Sequence, residues 1–323
     1  MPSAYKDNSL APWEHEVIAR RRRQGESMQI LLQHLRTLRL AAWLGWQIES
    51  NWTDPWLFTV YMLIKPFTGS LLLVCMYWAA RTATGGAVST SFLPFLYVSN
   101  ACYMLVGAVM FGMSWAVISD REHYGMLKYV YISPVQLRSY LVGRGAARVV
   151  EALLGALLTL GLGLLLYPIF PELSSALGWQ RNWWEWAGWL VLFFCLGVAM
   201  LIALGLILAG AVLNMGQYGM FLSEGVGGVL YLLSGVVFPI DVLPALLRYA
   251  SLAMPTTYWL EAMRRVLLGQ STLPSVLSRW LLPELAGALL ISTLALGVVA
   301  HFFFRWSERR AWRLGRFDEQ MGW

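Results

Sequence analysis

Hydrophobic positions occur in this chain as long runs that charged residues seldom interrupt. Six runs are evident, over residues 56–80, 93–118, 141–167, 186–213, 218–238 and 281–306. A helix needs about 20 mainly apolar residues to cross the hydrocarbon core of a bilayer. The pattern therefore predicts an all-α integral membrane protein with six transmembrane helices, which no internal repeat or linker divides.

The stretch before the first run has a different period. Its apolar residues recur at helical spacing while glutamine and arginine occupy another face; the apolar positions are Met28, Leu31, Leu32, Leu35, Leu38, Ala42 and Trp46. This pattern is typical of a helix lying in the membrane interface, although a soluble helix packed on a partner has the same period. We expect an amphipathic interfacial helix over residues 28–52, after a cytoplasmic tail over residues 1–27.

Residues 239–280 form a second irregular stretch, in which charged residues and four prolines interrupt an apolar sequence. Non-helical backbone at membrane depth is tolerated only where protein buries it or where it borders a cavity. We expect two short re-entrant helices here, near residues 243–250 and 258–268, between the fifth and sixth spans. Residues 53–306 then form the membrane domain, and residues 307–323 form a basic cytoplasmic tail.

Composition and charge agree with this assignment. Of 323 residues, 58% are hydrophobic and 13% are charged, against about 25% charged in an average soluble domain. The net charge of +6 is unevenly placed: 17 of the 24 Lys and Arg residues fall on the side of both termini, six fall on the other side, and Lys65 lies within the first run. Basic residues accumulate in cytoplasmic loops, so the asymmetry predicts that both termini are cytoplasmic and argues against nucleic acid as a partner.

Motifs that would supply chemistry are missing from the sequence. No GxxxxGK[ST] phosphate loop occurs, and there is no HExxH motif, nucleophile elbow or Cys/His metal cluster. We therefore expect no catalytic site, metal or cofactor in this chain. If the protein moves a substrate uphill, a partner or an ion gradient supplies the energy.

The loop between the second and third runs is the most informative segment. Residues 122–132 can form a short helix, with Asp120 as its N-cap and with Ser133 and Pro134 ending it. Leu127 and Tyr131 fall on one apolar side. A short amphipathic helix parallel to the membrane is a natural lever, because a partner that grips it moves the second and third spans together.

Several residues of this loop occur in a recognisable order: an acidic residue, then Gly, then Leu, then Ser-Pro. They are Glu122, Gly125, Leu127, Ser133 and Pro134. In this respect the loop resembles the coupling-helix region of ABC-2 type permeases, which export polysaccharides, lipids and drugs. Met126 departs from the family's usual Thr. The pair Gly143-Arg144 is similar to the Gly-Arg or Gly-Lys pair that opens the family's third span.

A second resemblance to the same family lies late in the chain. The segment Ser234–Pro239, followed by Pro244, Pro255 and Tyr258, is similar to the family's exit from span five and its re-entrant hairpin. The interfacial helix, six spans and inside termini resemble the family too. The resemblance thus extends over residues 31–306.

The resemblance implies an exporter subunit in the cytoplasmic membrane. Such a permease pairs with a second copy or a homologue, contacts membrane lipids and binds two copies of a cytosolic ABC ATPase, which uses ATP and Mg. Its expected substrate is amphiphilic: a drug, a lipid or a lipid-linked glycan. Coupling to the ATPase is expected from Asp120, Arg121, Glu122, Gly125, Leu127, Tyr131, Ser133 and Pro134.

Ionisable residues within or beside the apolar runs are further candidates, namely Lys65, Glu151, Glu224 and Glu284. A charge at the bilayer centre costs about 2.5–3.5 kcal/mol on insertion scales, so each suggests a function. Glu151, however, is spaced to pair with Arg144 or Arg148, and Glu284 lies near the outer end of span six, where pairing with a neighbour is expected.

Lys65 and Glu224, with Gly225 and Gly228 beside the latter, remain as candidates for the transport pathway or the dimer interface. Intramolecular pairing or snorkelling is the alternative for the two charged residues. Three other functions stay open: an ion-coupled secondary transporter, a membrane-embedded enzyme and a non-transport scaffold. An internal repeat would favour the first and convergent catalytic residues the second, and the sequence has neither.

Overall fold

A computed structural model describes residues 32–316, apart from residues 49, 51–54, 134–135, 166–182, 270–272 and 274. Those residues form helices and turns without any strand. The helices are α1 (32–48), α2 (Pro55–Ala83), α3 (Phe92–Val106), α4 (Gly112–Glu122), α5 (Leu127–Ile132), α6 (Leu137–Leu165), α7 (Trp183–Met215), α8 (Gly219–Leu233), α9 (Ala245–Ala253), α10 (Pro255–Leu268) and α11 (Leu282–Arg313).

Five helical stretches in the described ranges are long and apolar enough to cross a membrane. They are Met62–Ala83, Phe92–Glu122, Leu137–Gly163, Trp183–Met215 and Leu282–Arg313. The predicted fifth run is shorter than expected, because α8 has 15 residues. At 1.5 Å per residue it is about 22 Å long, less than the roughly 30 Å of a hydrocarbon core.

The second stretch is not one regular helix. A π-helical segment, Gly107–Phe111, joins α3 to α4. A π turn accommodates an extra residue inside an α-helix and is frequent at functional sites. The segment packs against α6 and α7, so it lies at the centre of the bundle.

Helix α7 is the central helix, which packs along α11, α4 and α10. Small residues make these approaches possible. A Cβ at Gly205 would lie 2.6 Å from the sulfur of Met113, and one at Gly197 would overlap the indole of Trp259. The Trp259 Nε1 donates a hydrogen bond of 2.9 Å to the Phe193 carbonyl oxygen, which fixes α10 against α7.

The two helices predicted near residues 243–250 and 258–268 are present as α9 and α10. Three of the charges that interrupt this stretch pair with each other: Arg264 lies 2.8 Å from Glu261, and Arg265 lies 3.0 Å from the same carboxylate. The Arg264 guanidinium also lies 4.4 Å from the ring centroid of Phe95. Pairing lets these charges occupy an otherwise apolar core.

Helix α1 occupies most of the predicted interfacial segment; residues 28–31, 49 and 51–52 lie outside the described ranges. It crosses α6 at Gly143, where a Cβ would lie 2.6 Å from the Ala41 Cβ and 2.7 Å from the Leu38 carbonyl oxygen. Nearby, His34 Nδ1 lies 3.1 Å from Ser139 Oγ. The first residue of the Gly143-Arg144 pair therefore permits a close helix crossing.

The predicted helix over residues 122–132 needs correction. Helix α4 continues through Asp120 to Glu122, and α5 begins only at Leu127. Asp120 is thus an interior residue of α4 and does not cap α5, whose N-cap position is Met126. Gly125 has a φ of +59°, a left-handed conformation that glycine adopts readily, and the chain changes direction there.

Candidate functional site

Asp120 joins the end of α4 to α6. Its carboxylate is fully buried. It accepts a hydrogen bond of 2.6 Å from the Tyr140 hydroxyl and lies 3.3 Å from Arg144 Nη2. Both partners belong to α6, so a displacement of the α4 end acts directly on that helix.

Arg121 makes the corresponding link to α7 and α8. Its Nη2 donates to Glu122 Oε1 at 3.0 Å and to the carbonyl oxygen of Gly216 at 3.1 Å. Gly216 lies in the short turn between α7 and α8, with a φ of +55°. The adjacent residues Asp120 and Arg121 therefore connect one helix end to three others.

Helix α5 presents a different face to solvent from the predicted one. Leu127 is fully buried and packs with Val117 and Leu137, so it anchors α5 to the bundle. The exposed apolar residues are Tyr129 and Ile132, at 62% and 77% exposure. A partner that grips α5 from outside meets these two side chains.

The remaining predicted coupling residues have mixed positions. Tyr131 is half-buried and borders a polar cavity beside Arg138. The Ser133 hydroxyl donates a hydrogen bond of 2.7 Å to the Val130 carbonyl oxygen, and Ser133 has the extended backbone that ends α5. Pro134 lies outside the described residues.

A cavity of about 890 Å³ opens between α2, α3, α4, α6 and α8. We call it the central cavity. Its walls are mainly aromatic, methionine and glycine residues with a few polar groups; they include Met62, Asn100, Tyr103, Met104, Phe111, Trp115, Arg148, Glu151, Met220, Glu224, Gly228 and Tyr231. The volume and the mixture of surfaces are typical of a small-molecule site.

The π-helical segment forms one wall of this cavity and packs closely on α8. The Tyr103 hydroxyl donates a hydrogen bond of 2.7 Å to the Gly227 carbonyl oxygen. A Cβ at Gly227 would overlap the Phe111 ring. Tyr103 and Tyr231 meet edge to face with centroids 4.8 Å apart. Gly227 thus makes room for the aromatic side chains that shape the wall.

The central cavity carries an excess negative charge. Arg148 and Glu151 form an ion pair of 2.8 Å, as the i, i+3 spacing predicted, and Arg144 turns instead to Asp120. Glu224 makes no hydrogen bond or ion pair with the part of the chain that the structure describes. One carboxylate at the cavity edge is therefore left to interact with whatever occupies the site or adjoins it.

The predicted pathway residues are only partly brought together. Glu224 and Gly228 line the central cavity. Gly225 does not line it, and a Cβ there would meet nothing within 4 Å. Lys65 belongs to α2, one turn after the cavity residue Met62, but its side chain lies outside the described part of the structure.

Sequence reasoning missed the most characteristic residues of the cavity, including Tyr103, Phe111 and Tyr231. Aromatic residues in an apolar run are indistinguishable from core or lipid-facing side chains. The sequence signal that could have indicated these residues was the position of the glycines, because a glycine can make room for a large neighbouring side chain. Gly112 leaves room for the Arg148 side chain and Gly227 leaves room for Phe111, although neither partner could be named from the sequence.

Comparison with known families gives one match. The family model described as ABC-2 type transporter matches residues 39–268, which is more than two thirds of the chain. The matched range contains the Asp120–Ile132 segment and every residue that lines the central cavity. No curated protein matches the chain.

Proposed function

Because the chain belongs to the ABC-2 type transporter family, we propose that it is the permease subunit of an ATP-driven exporter. The family forms the membrane component of transporters and normally works with an ABC ATPase. The sequence has no phosphate loop of its own, so a separate ATPase, present in two copies with two permease chains, supplies the energy.

The observation that carries this proposal is the attachment of α5. The helix exposes Tyr129 and Ile132 to a partner while Leu127 fixes it to the bundle. The preceding residues Asp120 and Arg121 bond to α6 and to the α7–α8 turn. A push on α5 is therefore transmitted to α4, α6 and α8, and these helices form walls of the central cavity.

The proposed topology has six spans with both termini in the cytoplasm. Helix α8 begins the fifth crossing, and the α9–α10 hairpin completes it on the outer side. The packing of α10 supports this arrangement. Its Trp259 side chain is buried, and its buried charges Glu261 and Arg264 neutralise each other in an ion pair. Helix α1 lies in the cytoplasmic interface beside α6.

The central cavity suggests the nature of the substrate. Aromatic and methionine side chains bind apolar surface, and the carboxylate of Glu224 attracts a positive charge. These properties favour an amphiphilic substrate with a cationic group. Glu224 and Gly225 also lie on an exposed face of α8, which with Lys65 on α2 is the proposed contact with a second permease chain.

Purification of the intact chain from its native membrane tests the partnership. We expect a protein with a phosphate loop to co-purify, and we expect the double variant Tyr129→Ala/Ile132→Ala to lose it, because truncation of exposed apolar anchors costs about 2 kcal/mol or more each. The matched control is Trp312→Ala/Leu314→Ala, which removes two exposed apolar side chains at the same end of the bundle.

Two outcomes would contradict the proposal. Equal recovery of the ATPase with both variants would remove α5 as the docking element. Transport that continues without any ATPase, and that needs a proton gradient and Glu224, would favour the ion-coupled secondary transporter instead.

A further inference from the structure

The ends of α6 and α11 enclose a second cavity together with α5. Its volume is about 470 Å³, and its walls are mainly polar. We call it the basic pocket; it is lined by Tyr131, Gln136, Leu137, Arg138, Arg305, Glu308 and Arg309. It is separate from the central cavity, with which it shares no lining residue.

Positive charge exceeds negative charge among the described residues of the basic pocket. Three guanidinium groups face one carboxylate, that of Glu308. Within the described residues none of these four groups has an ion-pair partner within 4 Å. Arg138 instead lies 2.9 Å from His301 Nδ1 and above the Phe304 ring. Guanidinium groups gathered in a recess favour an anion with several oxygen atoms, such as a phosphate.

The surface next to the pocket indicates which kind of molecule the phosphate group would belong to. Val298, Phe302, Arg305 and Arg309 follow one another at intervals of four, three and four residues, which places them on one face of α11. Val298 and Phe302 are exposed. An apolar strip therefore leads directly into a cluster of arginines, and this order matches the acyl chains and headgroup of a phospholipid.

The level of the pocket along the membrane normal fits the same ligand. Trp306 and Trp312 are exposed on α11 beside it, and tryptophan concentrates at headgroup level in membranes. The pocket also lies at the end of the bundle that carries α5, which is the cytoplasmic end in the proposed topology. Basic pockets between helices on that side are suited to anionic lipid headgroups.

We propose that the basic pocket binds the phosphate headgroup of an anionic phospholipid from the cytoplasmic leaflet, with its acyl chains along Val298 and Phe302. The assignment to that leaflet rests on the proposed topology. Because Tyr131 belongs to α5, the bound lipid also contacts the helix proposed to meet the ATPase. Burial and the nearby Glu308 carboxylate raise the pKa of Tyr131, so its hydroxyl stays protonated beside the arginines.

The test uses the full chain alone, purified in detergent, so its result does not depend on an ATPase or on transport. The thermal midpoint is measured with added phosphatidylglycerol, phosphatidylcholine or inorganic phosphate. We expect phosphatidylglycerol alone to raise it. The variant Arg305→Gln/Arg309→Gln should need about tenfold more phosphatidylglycerol for the same rise, since each arginine adds to lipid attraction.

Matched variants separate the pocket from general surface charge. Arg310→Gln/Arg313→Gln removes two charges from the same helix end outside the pocket and should respond as the original chain does. Arg305→Lys/Arg309→Lys, which keeps the charge, should respond between the two. Lipid retained by the purified protein, measured by native mass spectrometry, should follow the same order and remains informative if a variant is unstable.

Three results would overturn the proposal. An equal rise with inorganic phosphate would indicate a simple anion site. Equal losses in the pocket and control variants would indicate diffuse surface charge. A pocket variant that keeps the full response to phosphatidylglycerol would show that these arginines do not bind the lipid.

Discussion

Asp120 and Arg144 form a buried ion pair, with Asp120 Oδ1 lying 3.3 Å from Arg144 Nη2. The two residues are 24 positions apart, in α4 and α6, and both side chains are buried. A third group, the Tyr140 hydroxyl, donates to the second carboxylate oxygen at 2.6 Å. The pair fixes the end of α4 that leads into α5.

Loss of either partner should destabilise the protein. A buried charge without its partner costs about 3–5 kcal/mol, whereas an apolar pair of similar size is often tolerated. We expect Asp120→Ala and Arg144→Ala each to lower the thermal midpoint of the purified chain. Asp120→Ala/Arg144→Ala should lose less than the two single changes added together. Additive losses would mean that the two residues do not interact energetically.

Gly227 should tolerate no side chain, because a Cβ there overlaps the Phe111 ring. Gly227→Ala should displace Phe111, cost about 1–3 kcal/mol of stability and reduce transport. The matched control is Gly225→Ala on the same helix, where a Cβ would meet nothing within 4 Å.

The thermal midpoint and the export rate of both variants decide the question. A normal Gly227→Ala protein would show that the wall of the central cavity adjusts freely. A Gly225→Ala protein that folds normally but no longer dimerises would instead place Gly225 at the contact between two permease chains.

Glu224 should select the charge of the substrate. Glu224→Gln removes a carboxylate that has no partner among the described residues, so stability should be unchanged or slightly higher. Export of a cationic amphiphile should fall by about tenfold, the factor that corresponds to 1.4 kcal/mol, while export of a neutral one should not. Glu185→Gln, an exposed acid of α7 outside the cavity, is the control.

Efflux from vesicles loaded with paired cationic and neutral fluorophores measures both rates. Equal decreases for the two fluorophores would give Glu224 a structural or gating role. Normal export of both would make the carboxylate dispensable, and Lys65→Met would then be the remaining test of a charged residue in the pathway.

Labelling with a membrane-impermeant maleimide tests the topology. In a chain without Cys75, Cys102 and Cys195, a cysteine at Ala87 should react in intact cells, because the α2–α3 turn is proposed to be external. A cysteine at Leu314 should react only after permeabilisation. The opposite result would invert the proposed orientation and place the basic pocket in the outer leaflet.

The hydrophobic pattern was sufficient to predict most of the helices. A helix surrounded by lipid requires a long apolar run, and the length of such a run identifies it in the sequence. The α9–α10 hairpin was also predictable, because a proline stands at the start of each helix. The length of α8 was not. The run over residues 218–238 is mainly apolar, but a turn at Gly235 ends the helical conformation early.

The loop between α4 and α6 contains features that the sequence pattern alone could not predict. Asp120 has the residue type and position of an N-cap, yet its actual role depends on Arg144 and Tyr140, which only the packed bundle brings near. The face of α5 is likewise set by the chain reversal at Gly125, which turns Leu127 inward and Ile132 outward. The central cavity was unpredictable for the same reason, because its walls come from five separate helices.

The π-helical segment Gly107–Phe111 sets the rotational phase between the two halves of the second crossing. Each residue turns an α-helix by about 100°, and a π turn accommodates one residue more than a regular turn. Because the π turn absorbs that extra residue, a single deletion within the segment would give a regular α-helix in which Asp120 and Arg121 still face Arg144 and Gly216. A one-residue deletion in the regular part of α4 would instead turn its end by about 100°, and it should break the contacts of Asp120 and Arg121 while leaving the protein inserted in the membrane.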